Sequence, residues 1–279
     1  MEHRTLVTTA ELSQHLHDPA WVVIDCRHEL ADPLAGCAEY RSSHIPGARF
    51  MGADEDLAAP LTGVNGRHPL PEVDDFAERL GRAGIDSGKQ VIAYDAQAGS
   101  FASRLWWMLR WLGHDAVAVL DGGWIKWTAE GRPVSAELPA PATARFLPSP
   151  RGIAVDADSV LSALSAPGTL LLDARAPDRF RGENETLDPV GGRIPGAVNR
   201  FFKDNLSGGC FKSAERLRAE YGSLLAGRSP RELVHYCGSG VTACHNLLAM
   251  EIAGLQGGRL YAGSWSEWCA DSSRPRAVG

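Results

Sequence analysis

Along the chain, short unbroken apolar runs alternate with longer stretches whose apolar residues recur every three or four positions. VVI (22–24), VIAY (91–94) and AVAVL (116–120) are runs of strand length, and their continuous hydrophobicity predicts strands buried on both faces. DDFAERLGRAGI (74–85) and SFASRLWWMLRWL (100–112) have helical periodicity, the second placing Leu105, Met108, Leu109 and Leu112 on one face. The second half repeats the alternation. LLL (170–172) and LVHY (233–236) predict strands; AERLRAEYGSLL (214–225) and TACHNLLAMEIAGL (242–255) predict helices. Alternating strands and helices predict an α/β fold, with a mostly parallel sheet covered by helices on both faces. In such folds ligands bind beyond the carboxyl ends of the strands.

The two halves resemble each other in detail. WVVIDCR (21–27) matches TLLLDAR (169–175), HIPGA (44–48) matches RIPGA (193–197), VIAYD (91–95) matches LVHYC (233–237), and GGWIKW (122–127) matches GSWSEW (263–268). The offsets are 148, 149, 142 and 141, in constant order, which marks a tandem duplication. Between the copies, LPAPATARFLPSP carries Pro139, Pro141, Pro148 and Pro150, residues that cannot continue a helix or a central strand. The expected organisation is therefore an N-terminal domain over 1–138, a linker over 139–150 and a C-terminal domain over 151–279.

Composition narrows the possibilities. With 44% hydrophobic and 22% charged residues in 279, the chain has ample apolar surface for folded cores and is not a disordered sequence. Its 28 Lys+Arg against 34 Asp+Glu give a net charge of -6, which argues against nucleic acid as a partner. No apolar run approaches the length of a membrane span, and the N-terminal stretch has no signal-peptide pattern, so a cytoplasmic protein is expected. The cysteines, at 26, 37, 210, 237, 244 and 269, include no Cys-x-x-Cys pair and are expected to be free thiols.

One of them stands where chemistry is expected. Cys237 opens the loop CGSGVT between the LVHY strand and the following helix. Gly238 and Gly240 allow a tight turn whose N–H groups point inward, and the helix N-terminus adds partial positive charge. A thiol in that cradle is expected to have a lowered pKa and to act as a nucleophile. Two rival readings fit less well. Gly238-x-Gly240-x-x-Ala243 imitates a dinucleotide fingerprint, but Tyr261 and Ala262 occupy the position where an acidic residue is needed. A cysteine phosphatase needs an arginine six residues after the nucleophile, and that residue is Ala243.

The loop CGSGVTA, the GSWSEW segment and the duplication together resemble a tandem-domain rhodanese-family sulfurtransferase, over nearly the whole chain. The loop itself is similar to that of 3-mercaptopyruvate sulfurtransferases. The resemblance implies two α/β rhodanese domains, one active site at their interface and a cysteine persulfide intermediate. In the N-terminal copy the position of Cys237 is occupied by Asp95, which cannot carry a sulfur, so that copy is expected to be inactive.

The same resemblance implies roles for further residues. Ser239 matches a serine that works with an aspartate and a histidine, which correspond to Asp54 and His68. Arg179 matches an arginine that binds the anionic end of the substrate. A second substrate arginine is expected nine residues later, where this chain has Asp188, leaving Arg181 or Arg193 as substitutes. From their own context, Cys244 is expected in the helix core, and Asp25, Asp173 and His44 in structural roles. Trp106, Trp107 and Trp111 are expected in packing.

The reaction implied is a double displacement. Cys237 takes sulfane sulfur from a small anionic sulfur donor, 3-mercaptopyruvate in preference to thiosulfate. The outer sulfur rests against the loop formed by Gly238, Gly240, Val241 and Thr242. An acceptor, cyanide or a thiol such as thioredoxin or glutathione, then removes it. No metal, no organic cofactor and no membrane are expected. The competing class is a non-catalytic sulfur carrier or binding module.

Overall fold

The computed structural model describes residues 2–141, 143–165 and 168–279. The chain forms two compact units. One comprises 1–59, 71–151 and 208–210; the other comprises 60–70, 152–207 and 211–279. The segment 60–70, from the first half of the sequence, thus packs with the second unit.

The first unit is built on a 5-stranded sheet. Its strands are β1 (Leu6–Val7), β2 (Trp21–Asp25), β3 (Arg49–Phe50), β4 (Gln90–Tyr94) and β5 (Val117–Leu120), in the order β1-β5-β4-β2-β3, and all pairings are parallel. Helices α1 (Thr9–Gln14), α2 (Ala35–Ser42), α3 (Val73–Arg82), α4 (Ala102–Trp111) and α5 (Gly123–Ala129) connect them. Strand β4 is buried at every position, as its unbroken apolar run predicts. Helix α4 is buried all round, Ala102 through Leu109, rather than on the single face its periodicity suggested; Trp106 and Trp107 are both buried, and Trp106 donates its indole N–H to the carbonyl of Arg4. The Pro-rich stretch after residue 138 runs extended along this unit. Ala144 N–H bonds to Gly81, Ser149 N–H to Leu112, Phe146 is buried, and Arg151 makes a two-point ion pair with Asp115. Its Ala142 lies outside the described residues.

The second unit repeats the plan, with β6 (Ala154–Val155), α6 (Ala157–Ala163), β7 (Leu170–Asp173), α7 (Pro177–Arg181), β8 (Val198–Asn199), α8 (Ala214–Leu225), β9 (Leu233–Tyr236), α9 (Thr242–Ile252), β10 (Arg259–Tyr261) and α10 (Ser264–Ala270). The sheet order is β6-β10-β9-β7-β8, again parallel throughout. The expected α/β architecture is therefore present twice. Helices α5 and α10, at the GGWIKW and GSWSEW segments, were not anticipated, because each is 7 residues long, too short to show a period.

The repeated motifs form one physical assembly in each unit. Asp25 accepts the backbone N–H and the guanidinium of Arg27 (2.7 Å to Nη2) and the hydroxyl of Tyr94 (2.6 Å). Arg27 in turn reaches the carbonyl of Ser43 and stacks 4.4 Å from the ring of Trp124. In the second unit Asp173 holds Arg175 (2.6 Å), which bonds to the Gly192 carbonyl and stacks 5.0 Å from Trp265. These carboxylates and guanidiniums are buried, so their satisfied geometry is what makes them tolerable. They fix the ends of β2 and β7 to the HIPGA and RIPGA turns. His44 has the same structural character, with both ring nitrogens within hydrogen-bond distance of carbonyls, those of Tyr40 and Glu137.

Strand β9 contains one departure from its apolar pattern. His235 is fully buried, neither ring nitrogen has a partner, and burial pushes its pKa down to about 3. Ala93 occupies the matching position of β4. The folded protein holds this imidazole neutral while the unfolded chain protonates it near its ordinary value of about 6.5. Stability from this group is therefore complete above that value and is lost as pH falls toward about 3. In urea titrations, replacing His235 by Leu should flatten the decline in stability between pH 6.5 and pH 4, by about 1.4 kcal/mol per pH unit at the limit. Parallel pH profiles for the two proteins would show that His235 is not the group responsible.

Candidate active site

The loop after β9 is shaped by what each residue can tolerate. Cys237 is buried, and its sulfur accepts the N–H of Gly240 at 3.2 Å. Gly240 adopts a φ of +80°, and a Cβ there would lie 2.2 Å from the carbonyl oxygen of Ala262, so glycine is required on both counts. Helix α9 then begins at Thr242, aiming its N-terminus at the loop. The loop carbonyls are taken up by α10: Trp265 N–H donates to Cys237 and Ser266 N–H to Gly238. Ser264, at a left-handed φ of +55°, accepts the Cys237 N–H on its hydroxyl at 3.1 Å and donates that hydroxyl to Tyr261. Cys244 is buried and donates its S–H to the Gly240 carbonyl, consistent with the expected core position.

The first unit carries the same cradle with a different content. Asp95 ends β4, and its carboxylate accepts the N–H groups of Gln97, Gly99, Phe101 and Ala102 at 2.8–2.9 Å. Burial pushes the Asp95 carboxyl up while these four N–H groups pull it down, with burial prevailing. The ring of donors in this unit is thus filled by the chain's own side chain. Gly123, at the position matching Ser264, has the same φ of +55°.

Around the Cys237 loop the structure assembles several of the residues singled out from sequence. His68 and Ser239 are both buried, and His68 Nδ1 is hydrogen-bonded to Ser239 Oγ at 2.7 Å. The Gly66–His68 segment is docked on α10, where Arg67 N–H donates to Ser266 Oγ at 3.0 Å. Arg179, from α7, grips Glu185 through two bonds of 3.0 and 2.8 Å and reaches Asp188 at 3.3 Å. Burial raises Glu185, but the Arg179 guanidinium and the N–H groups of Leu187 and Asp188 outweigh it and hold its carboxyl below the ordinary value. Asp188 is buried and its pKa is raised by desolvation, partly offset by Arg67, Arg179 and Arg175.

Asp54, Arg181 and Arg193 have partners of their own. Asp54 belongs to the first unit, where its half-exposed carboxylate is 3.8 Å from His28 Nε2. Arg181 pairs with Glu183 in solvent, and Arg193 stacks on Phe180 and bonds to the Gly279 carbonyl, so neither replaces an arginine at 188. Sequence reasoning missed Arg67. A Cβ on Gly238 would stand 2.7 Å from Arg67 Nη2 and 3.3 Å from Arg179 Nη2, so two guanidiniums flank the residue next to Cys237.

A strand-to-helix loop holding a thiol against a backbone N–H, with guanidiniums beside it, suits a nucleophilic cysteine that acts on an anionic substrate. The comparisons agree. The model of the rhodanese-like domain matches residues 8–130 and 156–271. Over 283 residues the chain is 47% identical to a Pseudomonas aeruginosa protein named "Probable 3-mercaptopyruvate sulfurtransferase", covering 100% of both. It is 35% identical to the thiosulfate sulfurtransferase of Rattus norvegicus, covering 95% of this chain and 92% of that one. Among solved structures it is similar to the 3-mercaptopyruvate sulfurtransferase SseA from Escherichia coli, with a TM-score of 0.78 and 31% identity over 95% of this chain and 100% of the other. The chain belongs to the rhodanese family, as a sulfurtransferase with two tandem rhodanese-like domains. Among the described residues no helix is long and apolar enough to cross a membrane.

The filled cradle of the first unit yields a stability test. Asp95→Ala leaves four N–H groups without their carboxylate and should destabilise the protein by about 3 kcal/mol or more, read from urea unfolding. A loss below about 0.5 kcal/mol would mean that the carboxylate is not what holds this loop.

Proposed function

We propose that the chain is a 3-mercaptopyruvate sulfurtransferase whose persulfide forms on Cys237. The observation that carries the sulfur-donor assignment is the 2.7 Å contact between His68 Nδ1 and Ser239 Oγ beside the Cys237 loop. The Cys237 thiolate attacks the sulfur of 3-mercaptopyruvate, an S–S bond forms, and the C–S bond breaks with its electron pair passing to the pyruvate enolate. That enolate must gain a proton, and a serine hydroxyl coupled to a histidine is a suitable relay for delivering it. The outer sulfur is then carried against the N–H groups contributed by Gly238, Gly240, Val241 and Thr242, with Gly240 N–H already on the Cys237 sulfur. Cyanide or a thiol, such as glutathione or thioredoxin, attacks the outer sulfur and returns the Cys237 thiolate.

Arg179 enters as a carboxylate-binding group, a role suited to a planar guanidinium. Asp54 enters on the family pattern alone. We further propose that the division into an active C-terminal domain and an inactive N-terminal one follows from Cys237 and Asp95. A reducing, cytoplasmic compartment fits the six cysteines, all of which are free thiols.

Steady-state rates with cyanide as acceptor test the sulfur donor. A relay made for an enolate should give kcat/KM for 3-mercaptopyruvate at least about tenfold above that for thiosulfate, or about 1.4 kcal/mol in transition-state terms. Ser239→Ala should lower kcat with 3-mercaptopyruvate far more than with thiosulfate, whose sulfite leaving group needs no proton on carbon. A tenfold preference for thiosulfate instead would assign this chain to the other activity named among its relatives.

A further inference from the structure

The position nine residues after Arg179 carries a buried acid, Asp188, and the structure shows what surrounds it. Its carboxylate lies 3.4 Å from Arg67 Nη2 and 3.3 Å from Arg179 Nη2, so one acid side chain bridges two guanidiniums. Both guanidiniums meet at Gly238, within 2.7–3.6 Å of where a Cβ would be. Arg67 Nε is buried and has no hydrogen-bond partner. A buried N–H left unpaired costs about 1–3 kcal/mol, which a ligand oxygen would recover. These are independent signs, one of geometry and one of an unmet donor, and both point to an anion beside the nucleophile.

We propose that Arg67 and Arg179 form a two-arginine clamp for the carboxylate of the sulfur donor, and that Asp188 is the positioning residue that holds the clamp together and sets its selectivity. Arg67 supplies the second guanidinium from the loop that carries His68, and so stands in for an arginine at 188. Glu185 and Asp188 contribute two carboxylates to two guanidiniums, leaving directed N–H donors with no surplus positive charge. Such a site suits a single planar carboxylate, which gains paired hydrogen bonds. It offers little to a compact dianion such as thiosulfate, which must shed the hydration of two charges without a net opposite charge to receive it. A side chain at 238 would displace the Arg67 guanidinium from this position, since its Cβ would stand 2.7 Å from Arg67 Nη2.

This proposal rests on the 3-mercaptopyruvate reading for its choice of ligand, but the clamp has a test that needs no sulfur donor. Iodoacetate carries a carboxylate next to its reacting carbon, and iodoacetamide is its neutral counterpart. The ratio of their rates of alkylation at Cys237, followed by mass spectrometry of the Cys237 peptide, reads the anion-attracting power beside the sulfur. Arg67→Met should lower that ratio at least about fivefold, and Arg67→Lys should restore part of it. In turnover, Arg67→Met should raise KM for 3-mercaptopyruvate about tenfold with a smaller change in kcat. Asp188→Asn should raise kcat/KM for thiosulfate relative to 3-mercaptopyruvate about tenfold, a change of preference that mere loss of stability does not produce. An alkylation ratio unchanged in Arg67→Met overturns the clamp, and an unchanged sulfur-donor preference in Asp188→Asn overturns the selectivity role. A wild-type preference for thiosulfate overturns the donor assignment instead, and leaves the alkylation ratio to decide the clamp.

Discussion

Backbone N–H groups at the junction of a strand and a helix must find an acceptor, and this chain meets that requirement in two ways. At the end of β4 the acceptor is a carboxylate built into the sequence, Asp95, with four N–H groups on its two oxygens. At the end of β9 the matching side chain is a thiol, which bears less charge and is smaller, and six intervening residues become four. In the second loop the Cys237 sulfur takes the N–H of Gly240. In the proposed mechanism a persulfide places its outer sulfur against that loop. The two copies differ in the acceptor at this junction, without any change in sheet order.

Holding a loop in that shape requires a rigid base. The buried Asp–Arg pair at the end of β7 ties that strand to the turn before β8, and the same arginine stacks on Trp265 in α10. Helix α10 then supplies the N–H groups and the Ser264 hydroxyl that fix the backbone of Cys237 and Gly238. It also anchors Arg67, and with it the segment that brings His68 to Ser239. The motifs repeated along the sequence are thus successive parts of one support, running from a sheet strand to Cys237. Ser264 tolerates a left-handed backbone because its side chain bonds on both sides, and such strain costs about 1–3 kcal/mol.

Much of this was legible in the sequence, for physical reasons that also explain what was not. The buried parallel strands are unbroken apolar runs, and the helices around them have a clear period, so the α/β plan and its duplication could be read directly. The Cys237 loop could be read because the glycine at 240 serves a backbone purpose, a φ of +80° against the Ala262 carbonyl. Ser239, His68, Arg179 and Asp54 came from the family pattern, and the structure gathers the first three with Cys237 in one unit. Arg67 had no local signal. An arginine in a Gly-Arg-His-Pro loop looks solvated, and its place depends on how residues 60–70 pack against a strand end far along the chain. The role of Ser264 was also hidden, although the glycine at 123, at the matching position of the repeat, marks the backbone conformation the two share. His235 could not be recognised as unpaired, because pairing is a property of neighbours and not of strand pattern.

The most direct measurement of this account is the intact mass of the protein after treatment with 3-mercaptopyruvate and removal of excess reagent. The account predicts a gain of one sulfur atom, located on the Cys237 peptide, absent in Cys237→Ser and discharged by cyanide with formation of thiocyanate. An adduct that persists in Cys237→Ser, or that maps to Cys244, would contradict it.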